Sequence, residues 1–319
     1  MKHEFVVTAA DAGRRLDRFV AVQLGRVPMS LVRRLLRTKK IRVDGKRGRA
    51  DQQLSEGDRV VVHHTPRPSA GTEPPSSPAR PYTGPPIEVL AEIDDLLFVA
   101  KPAGVACSDD GRDDHALAAW LREFLRDRIG SGEVRPEPCH RLDRHTTGVV
   151  VVALTAAAFD RFRRALEHDH VHKTYEVVVH GTPESARFDV DVPLARRRDA
   201  RTHEPRMIDA GEETTIGGQR ARTCFHLLRR SGGVSLLRAE PLTGRTHQIR
   251  AHCRIVGLPV VGDPRYGDPA LDPDRNGQLL HARTIRLEDG EAPIEIHADW
   301  PQDRLRRLLG YGLIDASRA

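Results

Sequence analysis

The sequence predicts an α+β protein in two parts: a small basic α/β module, then a larger domain whose mixed, mostly antiparallel β-sheet is flanked by helices and loops. Three observations carry this. Strand-like runs such as EVLAEIDDLLFVAKP, GVVVVAL, KTYEVVVHG, ARTCFHLLRR and VSLLRAEPLTG are interleaved with a few helical stretches, near residues 114–128, 155–168 and 246–256, without regular βαβ alternation. No glycine-rich phosphate-binding turn of the dinucleotide or P-loop kind is present. Residues 66–86 hold 8 of the 22 prolines and almost no large aliphatic side chain, so they read as an extended linker between residues 1–65 and 87–312.

The first module owns the charge. The chain of 319 residues carries a net charge of +6. Residues 1–65 hold 15 Lys and Arg against 7 Asp and Glu, a net of +8, which leaves −2 on the other 254 residues. Leu16, Phe19, Val20 and Leu24 recur at helical spacing, and Ser30 stands as a candidate N-cap for a second helix whose apolar stripe is Leu31, Val32, Leu35 and Leu36. Arg33, Arg34, Arg37 and Lys40 point elsewhere. A strand then enters a tight Asp44–Gly45 turn flanked by Arg42, Lys46 and Arg47, and GDRVVVHH closes the module. One cationic face on two helices and a hairpin suits a phosphate backbone. The layout of residues 14–62 resembles the alpha-L (S4-like) RNA-binding motif, with Lys39–Lys40 where such domains usually turn on a glycine.

Four dispersed cysteines without a CxxC pair suit a reducing cytoplasm, and no apolar run reaches the ~18 residues of a membrane span. A cytoplasmic, monomeric protein is expected.

Chemistry concentrates in three runs of the larger domain. In HRLDRHTTGVVVVA (140–153), Asp143 sits on a loop directly before a strand of β-branched residues, held rigidly at one end. Arg141 and Arg144 flank it and favour its ionised form. A lone carboxylate with cationic support suits nucleophilic or electrostatic work at carbon, whereas a glycosidase needs a second, protonated carboxyl group. In PLTGRTHQIRAHC (241–253), Gly244 ends a strand, Thr246 is placed to cap a helix, and Gly257 is placed as its C′ residue. Ile249, Cys253 and Val256 form its apolar side, while His247, Arg250 and Arg254 lie on others. Its N-terminal N–H groups and Arg245 offer an anion site, for a phosphate or for the Asp143 carboxylate. In HKTYEVVVHG (172–181), Tyr175, Val177 and Val179 share a strand face, with the phenol at the strand's beginning.

Together these runs resemble the RluA-type family of pseudouridine synthases. The motifs are HRLDRHTTG, with Thr147 where serine is usual, and then KPAG (101–104), KTY (173–175), GRTHQIRAH (244–252), GLPVVGDPRYG (257–267) and LLHA (279–282). The resemblance implies that Asp143 is the catalytic aspartate and that Tyr175 stacks on the uracil and serves as general base. It also implies that Arg245 pairs with Asp143 and that Arg141 helps hold the target nucleotide out of its helix. Leu142, Ile249 and Leu280 are expected in the pocket wall, and the GLPVVGDPRYG and LLHA stretches as framework. No cofactor is implied, because the isomerisation changes no oxidation state. The expected partner is RNA, ribosomal RNA of the large subunit first and transfer RNA second, with no membrane. Sixteen histidines invite a metal site, but EHDHVH (167–172) lacks the pairing of known zinc motifs, so no metal is expected.

Overall fold

The structure, a computed structural model, describes residues 2–8, 11–24, 27, 29–63, 81–107, 114–198, 205–209, 218–273, 276–290 and 292–315. The chain divides into two compact units, Met1–Ala79 and Arg80–Ala319.

In the first unit, β1 (Lys2–Val6) is followed by α1 (Leu16–Gln23), α2 (Met29–Arg37), β2 (Ile41–Val43), β3 (Lys46–Arg47) and β4 (Arg59–His63). The four strands order as β1-β4-β2-β3. The apolar stripes of both helices close on this sheet: Leu16, Phe19, Val20, Val32, Leu35 and Leu36 join Ile41, Val60 and Val62 in one core. Two features differ from expectation. β1 completes the sheet against β4, and α2 begins at Met29, so Ser30 is inside the helix. Asp44 and Gly45 both have positive φ, 48° and 76°, as a two-residue type I′ hairpin between β2 and β3 requires.

The second unit runs β5 (Glu88–Ile93), β6 (Leu96–Lys101), α3 (Leu117–Phe124), α4 (Arg126–Gly130), β7 (Glu137–Pro138), β8 (Thr147–Ala153), α5 (Ala156–Glu167), β9 (Val171–His180), β10 (Arg187–Asp191), β11 (Leu194–Arg198), β12 (Pro205–Asp209), β13 (Arg222–Ser231), β14 (Val234–Pro241), α6 (Gln248–Ile255), β15 (Leu280–Leu287), β16 (Ile294–His297) and α7 (Gln302–Gly310). Its ten-stranded sheet orders as β10-β13-β14-β9-β15-β8-β6-β5, with β16 on β15 and β7 on β8; β11 and β12 form a separate hairpin. Among the described strands the β8–β15 pair is parallel and the others antiparallel, so the sheet is mixed and mostly antiparallel as predicted. Residues 66–80, most of the expected linker, lie outside the described residues. Its last residues are described, and Tyr82 packs against the core of the second unit. At the other end, Leu313 is buried, so that core reaches past residue 312.

β8 explains why a charged loop precedes a β-branched run. Every residue of β8 is buried. Val150 and Val152 enter one core with Leu97, Val99 and Leu142, while Val149, Val151 and Ala153 enter the other with Phe98 and Phe162. A strand buried on both faces reads as a continuous apolar run and fixes what is attached to its end. At that end Gly148 has φ 110°, and a Cβ there would lie 2.2 Å from the Ala282 carbonyl oxygen. Only glycine lets β8 approach β15 this closely.

Candidate active site

The loop from Cys139 to Thr146 is pinned at several points. The imidazole of His140 accepts the Val151 N–H through Nε2 at 3.2 Å, and burial pushes its pKa well down, so it is neutral. The Leu142 N–H meets Cys107 Sγ at 3.2 Å. Lys101, 1% exposed, spends its three protons on the carbonyls of Pro102, Val105 and Arg144, at 2.9, 2.9 and 3.0 Å, tying the KPAG turn to the residue after Asp143. The Thr147 hydroxyl and His281 Nδ1 are 2.8 Å apart, and His281 Nε2 is 2.9 Å from the Ala298 carbonyl. A carbonyl only accepts, so His281 carries its proton on Nε2 and Nδ1 receives the threonine O–H. The hydroxyl at position 147 therefore joins β8 to the LLHA stretch.

The carboxylate of Asp143 is held by Arg250. Its Oδ2 accepts from Arg250 Nη1 at 2.7 Å, and its side chain is 18% exposed. Arg250 in turn grips the fully buried Asp263 bidentately, Nε to Oδ2 at 2.7 Å and Nη2 to Oδ1 at 2.8 Å. Burial opposes the Arg250 charge, but Asp263 and then Asp143 outweigh it and raise the pKa. Asp263 Oδ1 also accepts the N–H groups of Arg265 and Tyr266, at 2.8 and 3.0 Å.

This corrects the expected pairing. Arg245 is exposed, and its Nε donates to the Arg220 carbonyl at 2.9 Å; the ion partner of Asp143 is Arg250, not Arg245. Nor do the flanking arginines take that role: Arg141 is exposed, and Arg144 donates to the Gly104 carbonyl at 3.0 Å. In the sequence, Arg250 stands as one of several cations on α6. With His247 and Arg254 at i, i+3, i+7 it forms a polar stripe beside the apolar one, a pattern that does not single it out as the partner of Asp143.

α6 starts one residue later than predicted. His247, not Thr246, is its N-cap, in left-handed backbone at φ 55° and without a side-chain cap bond. The loop before it is braced by Gln248, whose Oε1 accepts from the Thr243 hydroxyl and the Arg245 N–H while Nε2 donates to the Arg222 carbonyl and the Thr223 hydroxyl. At the other end Gly257 is in left-handed backbone as C′, with its N–H on the Arg254 carbonyl and the Leu258 N–H on that of Cys253, a Schellman closure.

Tyr175 falls in the middle of β9, not at its start, between Ala239 of β14 and Ala282 of β15. Below it Val177, Val179, Ile249 and Leu280 form the apolar floor. Burial, reinforced by the negative charge of Asp143, pushes its phenol pKa up. Asp143, Tyr175 and Arg245 face one cavity of about 510 Å³, with Arg141 at its rim and Leu142, Ile249 and Leu280 in its wall. Among the described residues no cluster of three or more His, Cys, Asp or Glu side chains is arranged to hold a metal ion, and no helix is long and apolar enough to cross a membrane. In the first unit Arg33, Arg34, Arg37, Lys40, Arg42, Lys46 and Arg47 are all exposed, along α2 and the β2–β3 hairpin.

Comparison with known proteins gives this arrangement its relatives. Residues 95–254 match the RNA pseudouridylate synthase family model. The chain is 31% identical to "Ribosomal large subunit pseudouridine synthase C" of Escherichia coli K12, over 95% of this chain and 94% of that one. It is 30% identical to "Uncharacterized RNA pseudouridine synthase YlyB" of Bacillus subtilis, over 93% and 94%. Among solved structures, "Human RNA Pseudouridylate Synthase Domain Containing 1" superposes with a TM-score of 0.58 at 26% identity, covering 70% of this chain and 95% of that one. A family model spanning half the chain and relatives spanning nearly all of it agree with the HRLD, KTY and GRTHQIRAH motifs: the chain belongs to the RluA-type family of RNA pseudouridine synthases, isomerases that turn uridine into pseudouridine.

Proposed function

We propose that this enzyme isomerises uridine in large-subunit ribosomal RNA and that Asp143 is the group that acts at the sugar carbon. The observation that carries the reading is the convergence of a guanidinium-held carboxylate and a half-buried tyrosine on one cavity of about 510 Å³. The names of the full-length relatives favour the ribosomal substrate.

The reaction breaks the bond from uracil to ribose, turns the base, and joins a ring carbon to the sugar. That carbon loses its hydrogen and the freed ring nitrogen gains one, so no electrons are exchanged with an outside reagent. Asp143 meets the positive charge that develops on the sugar, by covalent attack or as a fixed anion. Arg250 orients the carboxylate, and Asp263 keeps Arg250 in place. Tyr175 offers a flat surface to the base. Burial first, and the Asp143 charge second, keep the phenol protonated, which favours Tyr175 as the surface on which the base stacks over a proton-accepting role. A stacked base cannot reach this cavity, so the nucleotide is everted at a cost of a few kcal/mol, offset by backbone contacts from Arg141 and from the cationic face of the first unit.

The test is tritium release from ring-labelled uridine in ribosomal and in transfer RNA, followed by mapping of the modified position. Asp143→Ala is expected to lower turnover by about a thousandfold or more while RNA affinity changes little. Near-normal turnover removes Asp143 from the mechanism, and release from transfer RNA alone moves the substrate assignment there.

A further inference from the structure

Tyr266 belongs to the GDPRYG stretch, expected as framework, yet its side chain meets the site at two points. It is 1% exposed, and Arg250 Cζ lies 5.1 Å from its ring centroid. Its hydroxyl oxygen accepts the N–H of Met207, on β12, at 2.9 Å and lies 3.0 Å from His247 Nδ1. The opposite ring nitrogen of His247, Nε2, is 3.7 Å from Asp143 Oδ1. A line of polar atoms thus runs from the backbone of the β11–β12 hairpin to the carboxylate.

The protons on that line have one consistent placement. Burial lowers the His247 pKa to about 4 against the opposing pull of Asp143, so the ring is neutral near pH 7 and exists as one of two tautomers. A proton on Nδ1 would turn the Nε2 lone pair toward an anionic oxygen 3.7 Å away, which is repulsive. A proton on Nε2 presents an N–H to Asp143 and leaves Nδ1 to accept the Tyr266 O–H. The Met207 N–H, occupying a lone pair of the phenol oxygen, is compatible with that O–H pointing at His247.

We propose that Tyr266 and His247 are positioning residues for the reaction: the Tyr266 hydroxyl favours the Nε2–H tautomer of His247, which turns an N–H rather than a lone pair toward Oδ1 of Asp143 while Arg250 holds Oδ2. The proposal rests on the reading of Asp143 given above. It also assigns the two oxygens different work. Oδ2 is bound by a cation at 2.7 Å, whereas Oδ1 faces a neutral donor beyond hydrogen-bond distance, which leaves Oδ1 the freer oxygen to meet the sugar. A cationic imidazole would tie up both.

Tyr266→Phe tests this, because it keeps the ring under Arg250 and removes the O–H. Ring nitrogen NMR of the full-length wild-type protein is expected to show His247 as Nε2–H, and Tyr266→Phe a measurable share of Nδ1–H, because only the Asp143 charge then opposes that tautomer. The single-turnover rate, on whichever of ring-tritiated ribosomal or transfer RNA the wild type converts, is expected to fall about tenfold in Tyr266→Phe and at least about tenfold in His247→Leu, with RNA affinity within about twofold. His247→Gln, which carries an N–H near the place of Nε2–H, is expected to recover the rate to within about threefold of wild type. An Nδ1–H tautomer in the wild type, or a Tyr266→Phe protein unchanged in both tautomer and rate, overturns the proposal; if His247→Leu does not fold, the NMR of Tyr266→Phe decides. Asp143→Asn, run in parallel, separates the two readings. If it is active, the role of Asp143 itself fails; if it is inactive while Tyr266→Phe and His247→Leu turn over normally, only the relay fails.

Discussion

Arg250 and Arg33 are the same side chain in two different solvents. Arg250 is 5% exposed and its guanidinium is shared between two carboxylates, so its effect comes from direction: a low-dielectric site makes each bond strong and any loss costly. Arg33, with Arg34 and Arg37, is exposed on α2, where water and salt weaken each charge and only their number matters. The difference teaches where charge in this protein sets chemistry and where it sets affinity. It also gives the two regions opposite responses to mutation.

The largest expected effect separates them most sharply. Arg250→Met leaves Asp263 buried with two backbone N–H groups but no cation, and breaking a buried pair this way costs about 3–5 kcal/mol. Urea unfolding should show that loss, with turnover reduced at least about a hundredfold because Asp143 is released at the same time. Adding Asp263→Asn removes the stranded charge while keeping an oxygen for both N–H groups. The double variant is expected to recover much of the stability and none of the activity. If it recovered both, Arg250 would serve the fold alone.

The next effect is on acid stability and belongs to the second unit. His247 and His281 are held by burial at about 4, against an ordinary 6.5, and His140 well below 6.5. These folded pKa values lie below the unfolded ones, so the unfolded chain binds protons first. The contribution is therefore full above about pH 6.5 and is lost as pH falls toward 4. Burial opposes the charge of Asp263, but Arg250 and the backbone N–H groups hold its pKa below the carboxylate range, which adds a further loss at lower pH still. Thermal unfolding between pH 7.5 and 4.5 should show Tm falling by roughly several degrees. His281→Gln should flatten the profile. A profile already flat in the wild type would mean that these imidazoles are protonated inside the fold.

What is legible in the sequence follows the same division. β8 can be read because burial on both faces leaves a run of β-branched residues. The Asp44–Gly45 turn can be read because positive φ selects small or turn-forming residues. The partner of Asp143 cannot. Two arginines five positions apart, Arg245 and Arg250, both suit a carboxylate, and the choice depends on Asp263, thirteen positions beyond Arg250, which anchors one of them. β1 and α7 escape the sequence pattern for a related reason: β1 is defined by pairing with β4, and α7 is a charged helix whose buried Arg304 and Leu308 acquire meaning only from tertiary contact. Local pattern reports on the residue's own backbone, whereas ion pairs and edge strands are chosen by distant chain.

A smaller effect sharpens the surface half of the comparison. Replacing Arg33, Arg34 and Arg37 together by Gln is expected to weaken RNA binding and lower the slope of log K against log salt by about 2, at roughly 0.7–0.9 for each phosphate no longer neutralised. Filter binding across a salt series measures this. Arg250→Met should leave the slope unchanged, since its charge is neutralised inside the protein. An unaltered slope in the triple variant would take the α2 face out of the RNA interface.

The smallest effect joins the two kinds of role in one residue. Lys39 follows α2 in left-handed backbone, φ 60°, with its N–H on the Leu36 carbonyl and the Lys40 N–H on that of Leu35. A residue with a Cβ is strained there by about 1 kcal/mol, and the resembling RNA-binding motif usually turns on glycine at this place. Lys39→Gly removes the strain but gives the unfolded chain more freedom, so the net gain is expected to be about 0.5 kcal/mol. It also deletes a cation beside the proposed RNA face. Stability rising while the salt slope falls by up to about 0.9, the equivalent of a single phosphate, would mean that this turn carries a strained lysine for the sake of its charge. If stability rises and binding does not move, Lys39 belongs to the turn and not to the interface.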